Sequence, residues 1–512
     1  MSDLSVNQDV ATATLGLRVV SAEEMRRAEQ SAFKAGLDSF VAMERAGRAV
    51  AAAICARWEA RPTLVLCGPG NNGGDGYVVA TLLRQAGWPV TVTALAPPSS
   101  PDAIRAAAGW VDPILAGGDV VWPGPEGLII DALFGIGLGR AISGAAVAMI
   151  ASANAAGAPI VAVDIASGVD ADNGAVLGCA IRASLTVTFA WRKFGHLLLP
   201  GRHMAGEVEV ADIGLSSGDL FAAAPAGNAP AWLNDAALWR NKIPIPTSAD
   251  HKYSRGHLLA VGGGVMTGAV RLAVRSARRA GVGLATILAP LNTVAIYAAD
   301  QAGVIVRPRG DGTDAVATTC ADRRISAILI GSGLESGGET RDLLRSALAA
   351  DRPIVIDGGG LDAWRDLHQQ NPADRAAPGH AAPIVLTPHE GEFSRLCGDI
   401  EAQHGKVVRA RAAASRFQAV IVLKGADTVI AAPDGRAVIN GDAPAYLATA
   451  GSGDVLAGIV AGLLAQGMEP FAAASAAVWL HAEAARLFGP GLLAEDLPEL
   501  LPSAIAGVLP TR

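Results

Sequence analysis

The chain has 512 residues, 51% of them apolar, so it holds material for more than one buried core; at roughly 100–200 residues per domain, two large domains are expected. Its 60 glycines exceed the usual share of about 7%, yet they follow no third-position period, which excludes a collagen-like fibre. A charge of −7, from 41 basic and 48 acidic residues, and an aromatic share of 4% argue against nucleic acid as a partner, since that needs a basic patch or stacking rings.

In chain order, the N-terminal stretch lacks the basic and apolar regions of a signal peptide. Residues 21–57 read as helical, opened by a capping box at Ser21 and Glu24 and carrying the apolar stripe Met25, Ala28, Ala32 and Phe33. TLVLC at 63–67 reads as a strand, followed by a glycine loop and the helical run YVVATLLRQAG. VTVTAL at 90–95, GLIIDALFG at 127–135 and PIVAVDIASG at 159–168 continue the alternation. Strands alternating with helices predict an α/β fold with a parallel sheet covered on both faces.

AAAPAGNAPAW at 222–232 is small, Pro-containing and aperiodic, and reads as a linker between domains at 1–225 and 226–512. The pattern then restarts with HLLAV at 257–261, ISAILIGSG at 325–333, PIVIDGGG at 353–360, PIVLTPHEGEF at 383–393 and AVIVLKGADTVI at 419–430. A long Ala-rich helical region closes the chain. Its most apolar run, 455–465, is too short to span a bilayer. Cys55, Cys67, Cys179, Cys320 and Cys397 form no CxxC pair, so neither a disulfide framework nor a zinc site is expected. A soluble, cytoplasmic protein without a membrane partner is the expectation.

In the first half, Gly68, Gly70 and Gly73 of GPGNNGGDG make a G-x-G-x-x-G turn between strand and helix, where backbone amides and the helix dipole suit a phosphate. A plain tight turn is the simpler alternative. No acid follows about 20 residues on, which disfavours an ordinary NAD-dependent oxidoreductase. Asp131 and Asp164 lie at or near strand C-terminal ends, where open α/β sheets build their sites. Oxygens of Asn72, Asp131 and Ser167 suit a hard cation, although acids at such positions also cap helices.

AMERAG at 42–47, NNGGDGYVVA, DALFGIGLGR and DIASGVD resemble, in order, the YjeF-type NAD(P)H-hydrate epimerase domain, over most of residues 15–220. The resemblance implies a Rossmann-like three-layer α/β/α domain that binds hydrated NADH or NADPH. It implies potassium (K+) near Asn72, Asp131 and Ser167. The dinucleotide would be contacted by Asn71, Asn72, Gly73, Gly74 and Asp75, and by Gly135, Ile136, Gly137, Leu138, Gly139, Arg140 and Ala141. Asp164 would lie near the nicotinamide ring and is the candidate acid/base. Ala166 stands where the family usually has proline, which is expected to loosen the Ile165–Ser167 turn.

In the second half, AGSGDVLAG at 450–458 places glycines and an acid at the head of an apolar helix. The amides of Gly451–Gly453 suit an anion hole, and Asp454 is placed to take a proton from an attacking hydroxyl. A simple N-cap is the alternative. There is no GxxxxGK[ST], which excludes a P-loop enzyme, and TPHEGEF is not HExxH, which excludes that zinc-protease pattern. Lys424 and the backbone of Gly425–Thr428 suit a nucleotide, although a lysine after a strand is often only a solvated end; Glu392 can hold Mg2+ through water and His389 can contact substrate, although a lone loop histidine is more often structural.

HKYSRGHLLAVGGGVMTGA at 251–269, TPHEGEF, LKGADTVI and AGSGDVLAG resemble the ribokinase-like ADP/ATP-dependent NAD(P)H-hydrate dehydratases over about 235–510. The resemblance implies hydrate contacts at Gly268, Ala269, Gly333, His389 and Asp454. It implies contacts to an adenine nucleotide at Lys424, Gly425, Ala426, Asp427, Thr428 and Gly453. The small-molecule partners would be the NADH and NADPH hydrates and ADP with Mg2+, and a homo-oligomer is expected. A kinase for a small alcohol, and a first domain serving only as a scaffold, remain alternatives.

Overall fold

Ser21 accepts the Glu24 amide and the Glu24 carboxylate accepts the Ser21 amide, so the helix Ala22–Lys34 starts at the predicted capping box. The helical reading of 21–57 is corrected in one respect. Gly36 takes φ +107° and breaks the helix, and Asp38 caps a second one, Ser39–Arg57. A computed structural model describes residues 16–115, 120–223, 229–310, 313–370, 381–400 and 405–509. The chain divides into one compact unit over Leu15–Pro230 and another beginning at Ala231. The boundary read at 225 lies outside the described residues.

The first unit contains β1 (Arg18–Val20), β2 (Thr63–Cys67), β3 (Val90–Ala94), β4 (Ile114–Leu115), β5 (Leu128–Ala132), β6 (Ile160–Val163), β7 (Leu185–Phe189), β8 (Arg192–Lys193) and β9 (Glu207–Ala211). A parallel sheet runs β4-β3-β2-β5-β6-β7-β9. Alternate residues serve opposite faces. Val65, Cys67, Ile130 and Val161 pack with helices Ser39–Arg57 and Asn71–Gln85, whereas Leu64, Leu66, Ile129 and Ala162 pack with helix Ala145–Ala155. Strand order reverses between β3-β2 and β5-β6, which opens a crevice at the C-terminal ends of β2, β5 and β6. Separately, β1 pairs with β8 and sets Val20 beside Lys193.

The second unit contains β10 (Ala231–Leu233), β11 (His257–Val261), β12 (Leu284–Pro290), β13 (Ile305–Arg309), β14 (Ala327–Ile330), β15 (Ile354–Ile356), β16 (Ile384–Leu386), β17 (Val420–Leu423), β18 (Thr428–Ala431) and β19 (Ala437–Asn440). The order is β13-β12-β11-β14-β15-β16-β17-β18-β19-β10. Pairing is parallel as far as β17 and antiparallel across β17-β18-β19. The reason is length: only Lys424–Asp427 joins β17 to β18, too short for a parallel crossover.

The helix Ser452–Ala465 is buried along its length from Val455 and packs on helix Thr267–Arg279. Close approach requires its small residues: a Cβ on Gly458 would lie 2.1 Å from the Ala273 carbonyl oxygen. Among the described residues, no helix is long and apolar enough to cross a membrane.

Two candidate active sites

The first site occupies the crevice of the parallel sheet. The predicted loop at Asn71–Asp75 is instead the first turn of helix Asn71–Gln85, with Gly70 at its N-cap. Backbone packing dictates glycine here. A Cβ on Gly73 would lie 1.8 Å from the Gly68 oxygen, and one on Gly68 1.8 Å from that of Leu133. Asn71 is exposed and bonded by the Ser100 hydroxyl, and Gly74 is packed on Met43. In the 135–141 loop, Arg26 donates to the Ile136 carbonyl at 3.1 Å, Ile136 and Leu138 pack against the apolar core, and Gly137, Gly139, Arg140 and Ala141 are exposed.

Asp131 and Ser167 are wholly buried. Asp131 accepts the Ser167 hydroxyl at 2.6 Å and its amide at 2.8 Å, and Phe134 N–H donates to the Ser167 hydroxyl at 2.9 Å. Burial pushes Asp131 up to about 6, against these hydrogen bonds. The turn around Ala166 is thus bonded to Asp131 through the Ser167 amide and hydroxyl. Beside it, Asn72 lies against Gly135 with both amide atoms buried and unpaired. The orphaned Asn72 amide oxygen and the buried Asp131 carboxylate are oxygen donors of the kind a hard monovalent cation takes.

Asp164 sits beyond β6 in the left-handed region, φ 66°, in a conformation that few non-glycine residues adopt. Its Oδ1 accepts Lys193 Nζ at 2.6 Å and the Thr188 hydroxyl at 3.0 Å. Lys193 is fully buried and also donates to Thr188 and to the Phe189 carbonyl. His196 accepts the Lys193 amide at Nδ1, so its Nε2–H faces the Asp164 carbonyl at 3.0 Å. Burial, aided by Lys193, pushes His196 down to about 3, so it is neutral. Burial alone would raise Asp164, but the Lys193 ammonium holds its carboxyl below the ordinary range.

Two further acids feel Asp164. Glu29 continues the buried stripe of Met25, Ala28 and Ala32 on a helix that packs on Trp191. Burial and then Asp164 push it up to about 7. Asp75 is raised well above its usual value by burial, Asp164 and Glu29. Glu29, Thr188, Lys193 and His196 were missed in the sequence because no local pattern marks a lysine or histidine that only the fold buries.

The second site lies at the C-terminal ends of β11, β14, β15, β16 and β17. Gly451 caps helix Ser452–Ala465 with φ +91°, which puts Gly453 and Asp454 in its first turn, as expected for an anion hole. Ser332 hydrogen-bonds both Asp357, at 3.1 Å, and Asp454. Asp357 also accepts Thr387 at 2.7 Å and Lys424 Nζ at 3.1 Å. Burial, then the Asp357 carboxylate, pushes Asp454 up to about 6. Burial would lower Lys424, but Asp357 and Glu392 override it and raise it. Asp357 and Ser332 were missed although PIVIDGGG carries its acid at a strand end, the same mark that singled out Asp131.

His389 caps helix Glu390–Leu396, accepting the Gly391 amide at Nδ1, while Glu392 accepts the His389 amide. The histidine thus caps a helix through Nδ1 while its side chain stays more than half exposed. Gly333, with φ +72°, closes on the Met266 carbonyl and the Ala269 side chain, which brings the expected positions Ala269 and Gly333 together. His389, Lys424, Gly425, Ala426, Thr428 and Gly453 line one cavity of about 420 Å³. Asp427 instead bonds Lys406 Nζ at 2.7 Å and braces the turn from behind.

Family models match both halves: "YjeF-related protein N-terminus" over residues 39–195 and "NAD(P)H-hydrate dehydratase" over 258–505. A bifunctional NAD(P)H-hydrate repair enzyme of Moorella thermoacetica is 37% identical, across 94% of this chain and 96% of that protein. The chain belongs to the bifunctional NAD(P)H-hydrate repair enzymes. An Escherichia coli member is 36% identical, across 93% and 92%. Among solved structures, the ADP/ATP-dependent NAD(P)H-hydrate dehydratase of Bacillus subtilis, co-crystallised with ATP/Mg2+, is 31% identical and covers 54% of this chain and 98% of its own, with a TM-score of 0.46. The two halves of this repair enzyme thus fall on the two units of the fold, one crevice to each family model.

Proposed function

We propose that the unit over Leu15–Pro230 interconverts the R and S epimers of hydrated NADH and NADPH, and that the unit from Ala231 dehydrates the S epimer with Mg2+ and ADP. The observation that carries this reading is the pair of separate acid sites, one built on Asp164–Lys193 and the other on Asp454 beside a glycine-capped helix.

In the second unit, Asp454 takes the proton of the hydrate's hydroxyl as that oxygen attacks the terminal phosphoryl group of the nucleotide. The Gly451–Gly453 amides and Lys424 hold the charge that develops on the phosphoryl oxygens. Hydroxide leaves poorly, whereas phosphate leaves well. The ring nitrogen's lone pair expels it as the C–O bond breaks, and loss of a neighbouring C–H proton restores the dihydropyridine. Adenosine monophosphate and phosphate are the other products of ADP. Mg2+ would offset phosphate charge, with Glu392 reaching it through water.

In the first unit, ring nitrogen again pushes out the hydroxyl, which departs as water with a proton from Glu29. Water returns on the opposite face, giving its proton to ionised Asp164. Two environments that drive carboxyl groups apart supply an acid and a base in one site. K+ would be held by Asn72, Asp131 and Ser167; its chemistry there is to order that turn and offset phosphate charge. Glu29→Gln is expected to slow epimer exchange about 10²-fold, within the range for a lost proton donor, and leave dehydration unchanged. Chromatographic separation of the two epimers reads this directly.

The deciding experiment mixes the protein with Mg2+, hydrated NADH and ADP or ATP and follows recovery of dihydronicotinamide absorbance. Both epimers should be consumed, the R epimer only by way of the S. Because Asp454 must be ionised to act, kcat/KM for dehydration is expected to fall as pH drops through about 6 and to level off above it. A rate independent of pH between 5 and 8 contradicts that role.

A further inference from the structure

The nucleotide cavity has one polar wall that none of these contacts uses. His481 stands in the helix Pro470–Phe488, whose neighbouring residues Val478, Leu480 and Ala482 are buried and apolar. The side chain lines the cavity together with Leu447, Leu456 and Val478 on the apolar side and Lys424 and Thr428 on the polar side. His481 is only 7% exposed, and its Nε2 is buried with no hydrogen-bond partner.

The state of the ring follows from its surroundings. Burial, with the Lys424 ammonium nearby, pushes the imidazole down to about 4, so it is neutral near pH 7. The ring hydrogen-bonds the backbone of Ser452 in the sense that favours its protonated form, which makes the ring N–H the donor to the Ser452 carbonyl. A neutral imidazole has one N–H, so the unpaired Nε2 carries a lone pair and accepts. Leaving such a buried acceptor unmade costs stability, and orphaned groups of this kind are rare enough in folded proteins to need a cause.

A nucleotide offers two kinds of donor to that lone pair, the ribose hydroxyls and the amino group of the base, since its phosphates are ionised. His481 is tied to Ser452, the residue before Gly453, whose amide opens the anion hole. A group anchored one residue from the phosphate site faces the part of the nucleotide that adjoins the phosphates, which is the sugar.

We infer that His481 is a specificity-determining residue of the nucleotide site: its Nε2 accepts a hydrogen bond from a ribose hydroxyl, so the site prefers ribonucleoside over deoxyribonucleoside phosphates. The inference rests on the nucleotide reading of this cavity proposed above. It predicts an order of preference among co-substrates, which the proposed reaction by itself does not.

The test is calorimetric titration of the full chain with ADP, 2′-deoxy-ADP, 3′-deoxy-ADP and inosine 5′-diphosphate, in the presence of Mg2+. One deoxy analogue is expected to bind about 10- to 100-fold more weakly than ADP, the scale of one site-built hydrogen bond lost, while the inosine nucleotide loses less. In His481→Leu that ratio should fall to near one. Should the leucine variant fail to fold, His481→Asn, polar but too short to reach the same hydroxyl, carries the same comparison and the same expected collapse. Equal binding of ADP and both deoxy analogues to the unsubstituted protein overturns the inference, as does a ratio that survives in a folded variant. A loss confined to the inosine nucleotide assigns Nε2 to the base and overturns the ribose contact. Absence of binding by every nucleotide removes the nucleotide reading itself and is thereby distinguishable.

Discussion

Asp454→Asn is expected to lower nucleotide-dependent dehydration about 10²–10⁴-fold, the span measured when a positioned general base is removed, with epimer exchange unchanged. The amide keeps the shape of the side chain and its bond with Ser332 but cannot take a proton. The loss should fall on kcat, because the Gly451–Gly453 amides and Lys424 remain to hold the nucleotide. Parallel assays of one preparation settle the point: absorbance recovery for dehydration, chromatography for the epimer ratio. Loss of both activities from a folded variant contradicts the division of labour between the units.

Lys193→Met is expected to destabilise the first unit by about 3–5 kcal/mol, the usual cost of stripping one partner from a buried ion pair. The methionine fills the space of the lysine stem, so what is lost is the charge that Asp164 depends on. The sign with pH follows. In the native protein Asp164 is held below the ordinary carboxylate range, so its pairing contributes stability at neutral pH that is lost as the pH falls through that range. Without Lys193, burial makes the ionised carboxyl costly, and protonation relieves it. The difference between variant and native protein should therefore be largest near pH 7 and shrink in acid, as denaturant melts at several pH values would record. Lys193→Met combined with Asp164→Asn should recover part of the stability and none of the epimer exchange, which separates the structural role of the pair from its chemistry. A single variant as stable as the native protein at pH 7 contradicts the coupling.

Particular residues mark where the sequence was readable. The capping box at Ser21 and Glu24 is a local hydrogen-bond pattern and lies where it was read. So do the strands 63–67 and 257–261, because short apolar runs between turn residues leave little choice of partner state. Asp131, Asp164 and Asp454 were found because each stands at a strand end or a helix start, positions that sequence order alone specifies. The break at Gly36 was misread, because the apolar pattern on either side of it runs on at helical spacing.

Composition, periodicity and the glycine-acid motifs determined by themselves that this is an α/β chain with two separate sites, and which acids head them. Only the tertiary structure decided the charge each acid carries. Lys193 lies 29 residues from Asp164, Asp357 nearly 100 from Asp454, and His481 29 from Ser452, yet the fold brings each pair together. Burial and electrostatic coupling depend on distance through space and on exclusion of water, and neither quantity is written in the local order of residues.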